Sequence, residues 1–387
     1  MAVQGLRYSF TDGPLDKRGI SDAIFMLEWE EIPLLALLGM DSATQKFQLV
    51  NPMARTIEVI EDAMRSFTTT LDADSLTADT TLDVQAGDGI LFRSGDIIKV
   101  DDELMLVTAV ATDELTVTRG WGGTTAHDMV DTDPVLIVTN AVAEGADYRQ
   151  GTTTLTTQWS NYTQIISEAV TITGTDQVVA KYGISVDELE YHASKLFNNG
   201  GRAGVIARYL AQTFYHGQKQ VRAAGTPVST MGGFNSRLSE IPASNKVALS
   251  GGALTKAAIH TVIRGIRQNN GNPDIMVCNA WAMEMINSFY EGNIRTTRDE
   301  TVGGSEITQI MTPHGRVNVV YDWLCPSTEI YFIDRERVGW HALRPFETTP
   351  TIELGDRAGM QVLGEYTFLM TNPEGHGKIS GMLDVAA

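Results

Sequence analysis

The sequence has few of the features that mark secreted or membrane-spanning proteins. It contains only two cysteines among 387 residues, Cys278 and Cys325, which excludes a framework of several disulfides. The longest apolar stretch near the start, residues 32–40, is too short to span a bilayer. Residues 1–19 are polar and lack the apolar segment of a signal peptide. We therefore expect a protein that folds in a reducing cytoplasm.

Positive charge is also scarce. Lys and Arg total 29 against 48 Asp and Glu, which gives a net charge of −19. Proteins that bind duplex DNA or anionic lipid neutralise phosphate with clustered Lys and Arg, so both classes are disfavoured. The composition is 43% hydrophobic and 20% charged, which predicts a packed core rather than a disordered chain. The length is sufficient for two domains.

Motifs for catalysis are missing. Residues 119–127, RGWGGTTAH, have neither the spacing nor the Lys of a phosphate-binding loop, so the glycines favour a tight turn with positive φ. Cys325 lies near His314 and Asp322 in sequence, types that a cysteine nucleophile would need. Buried, unreactive thiols are the favoured interpretation because Cys278 lies in an apolar run and Cys325 precedes a proline. We predict no catalytic residue and no cofactor.

Three acidic clusters invite a calcium-site interpretation: Asp72–Asp74, Asp101–Glu103 and Asp131–Asp133. None has the loop pattern of an EF-hand, with its glycine and terminal glutamate. Solvated turns are therefore favoured, and we predict no metal site.

The acidic clusters belong to a region with the pattern of a small β-domain. Residues 72–134 hold 14 Asp and Glu against 3 Lys and Arg, a net charge of −11. Apolar runs at 97–100 and 103–110 flank Asp101-Asp102, which indicates a two-residue hairpin, and further runs follow at 114–118 and 134–139. We predict a small β-barrel or sandwich, inserted between two strand-like runs that we expect to pair, 45–71 and 160–174.

Helices dominate the middle of the chain. Ser185 and Glu188 have capping-box spacing before residues 188–197. The helical pattern resumes at 202–221 after Asn198-Asn199-Gly200-Gly201, so either one helix bends there or two helices meet. A helix at 254–268 should bury Ala258, Ile259, Val262, Ile263 and Ile266. A buried strand at 273–279 and a helix at 280–290, capped by Asn279, should follow, and strands should form most of the remaining chain.

The C-terminal third resembles a known family. Its pattern comprises Asp334, Val338, Leu343, Arg344 and Pro345, then Gly364, Glu365, Tyr366, Thr367, Asn372, His376 and Gly377. This order is similar to the end of tailed-phage major capsid proteins of the Hong Kong 97 fold. The start of the helix at 188 and residues 230–238 resemble that family's spine helix and the entry to its axial domain. The resemblance covers residues 45–71 and 145–381.

The resemblance implies an α+β fold with a small inserted β-barrel or sandwich. The expected segments are an N-terminal arm and short helix (1–44), the outgoing strand of an extended loop (45–74), the inserted acidic β-domain (75–142), the loop's return and a peripheral domain with a long spine helix (143–230), an axial domain (231–345), and strands returning to the peripheral domain (346–387). The implied function is a structural one, a major capsid protein whose shell encloses double-stranded DNA.

The implied partners are further copies of the chain, as hexamers and pentamers in an icosahedral shell. No scaffold-sized region precedes the arm, so a separate scaffolding protein is expected, with a portal and possible decoration proteins. The shell would form in the host cytoplasm and become part of the virion. It would enclose DNA without reading its sequence and would need no membrane.

Three residues are candidates for contacts. Arg55 and Arg65, on the extended-loop strand, are expected to meet acidic neighbouring subunits. The inserted domain should lie on the outer face, where it either clamps neighbouring subunits or binds a receptor glycan. In the second case Trp121 would be the stacking residue. A tail-tube protein or an adhesin with a glycan-binding module is the alternative function, and a hydrolase ranks third.

Overall fold

The computed structural model describes residues 32–38, 53–62, 65–145, 147, 156–179, 198–199, 202–290, 309–351 and 355–383. Apart from residues 32–38, the expected N-terminal arm and short helix (1–44) lie outside these residues, as does the expected helix at 188–197. The chain forms two compact units: residues 1–59 with 159–387, and residues 60–158.

Strands make up most of the described structure. They are β1 (Thr56–Glu61), β2 (Thr68–Thr70), β3 (Thr81–Asp83), β4 (Asp96–Val100), β5 (Glu103–Ala111), β6 (Glu114–Thr118), β7 (Pro134–Asn140), β8 (Thr157–Tyr162), β9 (Gln164–Thr173), β10 (Asn198–Asn199), β11 (Arg202–Ala203), β12 (Lys246–Gly252), β13 (Ile275–Cys278), β14 (Gln309–Thr312), β15 (Gly315–Tyr321), β16 (Ile330–Ile333), β17 (Val338–Pro350), β18 (Arg357–Met370) and β19 (Gly377–Met382). The helices are α1 (Pro33–Leu38), α2 (Gly174–Val178), α3 (Val205–His216), α4 (Lys256–Gln268) and α5 (Ala280–Tyr290).

The unit of residues 60–158 contains one six-stranded sheet in the order β2-β7-β4-β5-β6-β3. All neighbouring strands in it are antiparallel. The two edge strands also meet, because Leu71 and Val84 form an antiparallel bridge directly after β2 and β3. Since β2 belongs to this sheet, the unit begins before residue 75, where we expected the inserted domain to start.

Alternation along these strands builds the core of this unit. Ile98, Val100, Met105, Val107 and Leu115 are buried, while Lys99, Leu104 and Leu106, which alternate with them, are only half-buried. The predicted hairpin is present, since Val100 pairs with Glu103 across a two-residue turn. Asp101 in that turn has φ 48°, the left-handed conformation that aspartate tolerates well.

The larger unit contains a second six-stranded sheet, in the order β12-β19-β16-β13-β15-β14. Helix α4 begins after Thr255, whose hydroxyl accepts a bond from Ala258 N–H, and α5 begins after Asn279, which caps it through Ala282 N–H. The predicted apolar face of α4 is confirmed. Its buried members are Ala258, Ile259, Val262, Ile263 and Ile266.

A three-stranded antiparallel sheet, β17-β18-β9, lies in the same unit. Aromatic rings fill the core beside it. Phe214 packs edge-on against Phe368 and at a tilt against Phe234. Strands β1 and β8 pair as a separate two-stranded sheet. The expected pairing of 45–71 with 160–174 therefore holds only for β1 and the start of that second run, because β9 pairs with β18 instead.

Three further expectations need correction. Residues 198–199 and 202–203 form a small antiparallel strand pair, β10 with β11, and the following helix spans only Val205–His216 rather than 202–221. The boundary expected at residue 345 falls inside β17. The last strand, β19, is not part of a separate return segment: it pairs with β12 and β16 inside the six-stranded sheet. β19 is therefore an interior strand of that sheet, with a hydrogen-bonded neighbour on each side.

Candidate assembly surfaces

A buried ion pair organises the glycine-rich segment of the small unit. The Glu103 side chain is fully buried, and its two carboxylate oxygens accept hydrogen bonds from Arg119 Nε and Nη2, each at 2.8 Å. The same carboxylate accepts bonds from the backbone N–H of Gly120 at 2.9 Å and of His127 at 3.3 Å. The two ends of the segment are thereby held to one side chain.

Arg119 extends this network to the opposite turn. Its guanidinium donates to the carbonyl oxygens of Leu76, Asp79 and His127. Burial alone raises the pKa of Glu103, but the bonds from Arg119, Gly120 and His127 together hold it below its ordinary value. Our expectation of a solvated turn at Asp101–Glu103 is therefore wrong for Glu103, because β5 turns that side chain inward.

The glycines of this segment form the predicted tight turn. Gly120, Gly122 and Gly123 have φ values of 63°, 70° and 86°, which a residue with a Cβ adopts only at a cost. Trp121 lies between them in a single 3₁₀ turn and is 38% exposed. The turn therefore presents one indole ring at the surface of an acidic unit.

The acidity of this unit has a local structural cause. Seven of its carboxylates accept hydrogen bonds from backbone N–H groups of turns. They are Asp74, Asp79, Asp96, Glu103, Asp113, Asp128 and Asp133. Short strands need many tight turns, and an aspartate side chain satisfies the backbone donors that a turn leaves without partners. The negative charge of this unit therefore follows in part from the aspartates that its many turns require.

An apolar strip lies on the outward face of the same sheet. Leu136 and Val138 alternate with the buried Val135 and Ile137 along β7 and are 41% and 50% exposed. Phe67, whose carbonyl accepts from Ile137 N–H, is exposed beside them. We call Phe67, Leu136 and Val138 the β7 strip. Exposed apolar residues grouped in this way indicate a contact surface.

The two candidate arginines have different surroundings. Arg55 is exposed just before β1, and its carbonyl accepts from Thr163 N–H. Arg65 is mostly enclosed: its guanidinium bonds to the Leu91 carbonyl and lies 3.1 Å from the buried Asp96 carboxylate. Asp96 also accepts from Arg93 N–H at 2.8 Å. The Arg65 side chain is therefore part of its own unit's structure, whereas Arg55 presents its charge outward.

Residues that carry the C-terminal pattern contact one another in the large unit. Arg344 lies 3.0 Å from Glu365 across β17 and β18, and Glu365 also accepts from Thr163 Oγ1 at 2.7 Å. Arg337 bonds to Asp334 at 3.1 Å and to Asn372 at 2.7 Å. The pattern thus describes a set of polar contacts that fixes the strands of this unit.

The two cysteines considered for catalysis lie in the core. Both cysteines are buried and unpaired with each other. Burial raises the pKa of Cys278 to about 12 and also raises that of Cys325, which disfavours the thiolate. No group of three or more potential metal ligands occurs among the residues that the structure describes. Within the same residues, no helix combines the length and the apolar character needed to cross a membrane.

Comparisons with known proteins identify one matching family model. A model described as the SU10 major capsid protein matches residues 3–383. No curated protein sequence matches this chain. Among solved structures, the chain resembles the capsid asymmetric unit of cyanophage A-1(L), with 12% identity and a TM-score of 0.55 over 98% of this chain and 100% of that one. It also resembles the capsid of an empty GTA particle, with 11% identity and a TM-score of 0.51 over 95% and 96% of the two chains.

Proposed function

Because this chain belongs to the SU10 major capsid protein family, we propose that its copies form the hexamers and pentamers of a closed shell around double-stranded DNA. The chain is a phage major capsid protein, and its place is the capsid of the virion. The observation that carries the proposal is the family match, which spans residues 3–383. It favours the capsid interpretation over the tail-tube and adhesin alternatives.

The parts of the large unit suggest roles in such a shell. The two-stranded sheet of β1 and β8 corresponds to an extended loop, the β17-β18-β9 sheet to a peripheral domain, and the second six-stranded sheet with α4 and α5 to an axial domain. The order of these elements along the chain supports this assignment. The exposed Arg55 beside β1 is then a contact for an acidic neighbouring subunit.

The unit of residues 60–158 is, in this proposal, a barrel-like insert on the outer face of the shell. Residues 72–134 carry a net charge of −11, and like charges disfavour a position beside packaged DNA. The β7 strip supports a role as a clamp, because it offers an apolar surface that a neighbouring insert or a decoration protein would cover.

A second role for the insert rests on Trp121. An indole ring on a glycine turn is a suitable stacking surface for a sugar, so a receptor glycan is the alternative occupant of this outer face. The two roles differ in the residues that matter, the β7 strip for the clamp and Trp121 for the glycan.

Other partners follow from the chemistry of assembly. A shell that fills with DNA through one vertex needs a portal, and we include a separate scaffolding protein among the proposed partners. Contacts with the enclosed DNA would be sequence-independent, since a net charge of −19 disfavours the clustered Lys and Arg that groove reading needs.

Excision of the insert tests this proposal. Residues 63–155 are replaced by a short Gly-Ser linker, which keeps β1 and β8. We expect the subunit to fold and to assemble, with shells that disrupt at lower temperature or fail under DNA packaging. Shells of unchanged stability would remove the clamp role. A variant that no longer folds would show that the insert belongs to the core of the subunit.

A further inference from the structure

Two polar side chains from distant parts of the large unit converge on one buried amine. Lys378 lies in β19 and is 4% exposed. Its Nζ is 2.7 Å from Glu329 Oε1 and 2.8 Å from Asn235 Oδ1. The lysine and the asparagine are 143 residues apart in sequence. The amine thus contacts both a carboxamide and a carboxylate, which are the second reactant and the proton acceptor for an amide exchange.

Neighbouring groups fix the orientation of these reactants. Asn235 Nδ2 donates to the Tyr215 carbonyl at 2.6 Å and lies 3.3 Å from the Tyr331 hydroxyl, so its Oδ1 faces Lys378. The Tyr331 hydroxyl in turn donates to Glu329 Oε2. Burial, followed by the bond to Glu329, raises the pKa of Tyr331, which keeps this hydroxyl protonated. One phenol therefore touches both the proton acceptor and the amide nitrogen.

Aromatic rings enclose the cluster. The Tyr331 ring centroid is 5.2 Å from Lys378 Nζ, 5.0 Å from the Phe234 ring and 5.2 Å from the Tyr215 ring. The Lys378 amine therefore has little contact with water, and Asn235 and Glu329 lie half-buried beside it. Contact between the reacting groups also replaces a bimolecular encounter by an intramolecular one.

We propose that Lys378 and Asn235 form an isopeptide bond within a single chain. The bond joins β19 to the 3₁₀ turn at Phe234–Arg237. It lies inside one folded unit, so it requires no second subunit and does not depend on the proposed roles in the shell.

The reaction balances without any other reactant. Lys378 Nζ passes one proton to Glu329, and the neutral amine attacks Asn235 Cγ. The new Nζ–Cγ bond forms as the Cγ–Nδ2 bond breaks. The second proton that leaves Nζ and the proton held by Glu329 both end on Nδ2, the latter through the Tyr331 hydroxyl. Nitrogen departs as ammonium, the Glu329 carboxylate is restored, and nothing is oxidised or reduced.

A covalent bond at this place would constrain the chain strongly. It would close a loop of more than a hundred residues that contains α4, α5 and most of the second six-stranded sheet. A crosslink limits the conformations of the unfolded chain, and the effect grows with loop length. A subunit so closed would resist complete unfolding while its shell carries load.

Intact-mass spectrometry of the denatured full-length chain tests the proposal. The wild-type chain should be lighter than its sequence by the mass of one ammonia. Proteolysis should yield one branched peptide in which the segments around Asn235 and Lys378 remain joined. Glu329→Gln should restore the sequence mass, because it removes the proton acceptor. Glu365→Gln, a control at a buried carboxylate that bonds to Arg344 and Thr163, should keep the lighter mass.

The conservative variant Lys378→Arg covers the case in which Glu329→Gln fails to fold. Arginine keeps the positive charge beside Glu329 but does not form this amide, so its chain should have the full sequence mass. A folded wild-type chain with the full sequence mass, and with Lys378 released in an ordinary linear peptide, would overturn the proposal. Lys378 would then serve only as the buried partner of Glu329.

Discussion

Glu103 and Arg119 form a two-point ion pair in the interior of the residue 60–158 unit, with both N–O distances at 2.8 Å. The carboxylate is fully buried, and it also accepts two backbone N–H groups. A buried charge that loses its partner is strongly destabilising, more so than the loss of an exposed pair. The ion pair therefore fixes the glycine turn that carries Trp121.

Removal of the arginine should open this unit. Arg119→Met leaves the buried Glu103 charge without its partner, and we expect a loss of about 3–5 kcal/mol in local stability. Hydrogen exchange of the full-length chain, followed by mass spectrometry, should show faster exchange in β4, β5 and β6. The control is Lys99→Met, which removes the exposed Lys99–Asp102 pair at 3.8 Å and should cost less than about 1 kcal/mol. Equal effects of the two variants would contradict this account.

The stability of the large unit should fall in mild acid because of His376. Burial lowers the pKa of His376 to about 3, although its bond to the Thr371 carbonyl opposes the shift. Its Nδ1 accepts from Asp334 N–H at 3.3 Å, so the folded ring is neutral. An unfolded histidine takes up a proton below its ordinary pKa of 6.5. The stabilising effect is therefore complete above that pH and declines as the pH falls toward 3.

The expected loss is about 1.4 kcal/mol per pH unit within this window. Denaturant unfolding of the free subunit at several pH values between 7 and 4 measures it. His376→Gln should show a shallower decline than the wild-type chain. Identical slopes would mean that the folded protein accommodates the imidazolium ion, against the structure.

Arg55 and Arg65 should respond differently to charge reversal. Arg55→Glu should leave the subunit folded and soluble but impair assembly, because its exposed charge is proposed to meet an acidic neighbour. Arg65→Glu should instead destabilise the small unit, because it removes the guanidinium that lies 3.1 Å from the buried Asp96 carboxylate and adds a second negative charge near it. Hydrogen exchange separates the two effects from shell yield. Normal shells from Arg55→Glu would remove Arg55 from the proposed contacts.

The two roles of the insert can be separated by single substitutions on its surface. If the insert is a clamp, Val138→Asp in the β7 strip should lower the temperature at which shells disrupt. Trp121→Ala should leave that temperature unchanged, because the ring is 38% exposed and lies on a separate turn. A glycan-binding knob predicts the reverse: intact shells from both variants and weaker attachment to host cells for Trp121→Ala only.

Local sequence patterns were sufficient to predict the buried face of a helix and a hairpin, but they did not predict contacts between segments that are distant in sequence. The 3.6-residue spacing of Ile259, Val262 and Ile266 was sufficient to predict the buried face of α4, and Asp101-Asp102 predicted its hairpin. Glu103 adjoins those two residues and looked equally solvated in the sequence. Only the pairing of β5 with its neighbours turns it inward, toward an arginine 16 residues away.

The position of β19 shows the same limit on a larger scale. Nothing in residues 377–382 indicates that they enter a sheet beside β12, more than a hundred residues earlier. The cluster of Asn235, Glu329 and Lys378 depends on this pairing, so sequence reasoning missed it. An isolated lysine in a strand near the C-terminus was the only local signal.

Electron microscopy of the purified protein is the most direct test of the central claim, that this chain builds a phage capsid. Expressed alone or with the proposed scaffolding protein, the chain should form closed shells or rings of hexamers and pentamers, and a reconstruction should place the large unit in a continuous wall. Open tubes of one uniform width, or a subunit that remains monomeric at high concentration with the scaffolding protein present, would contradict the account.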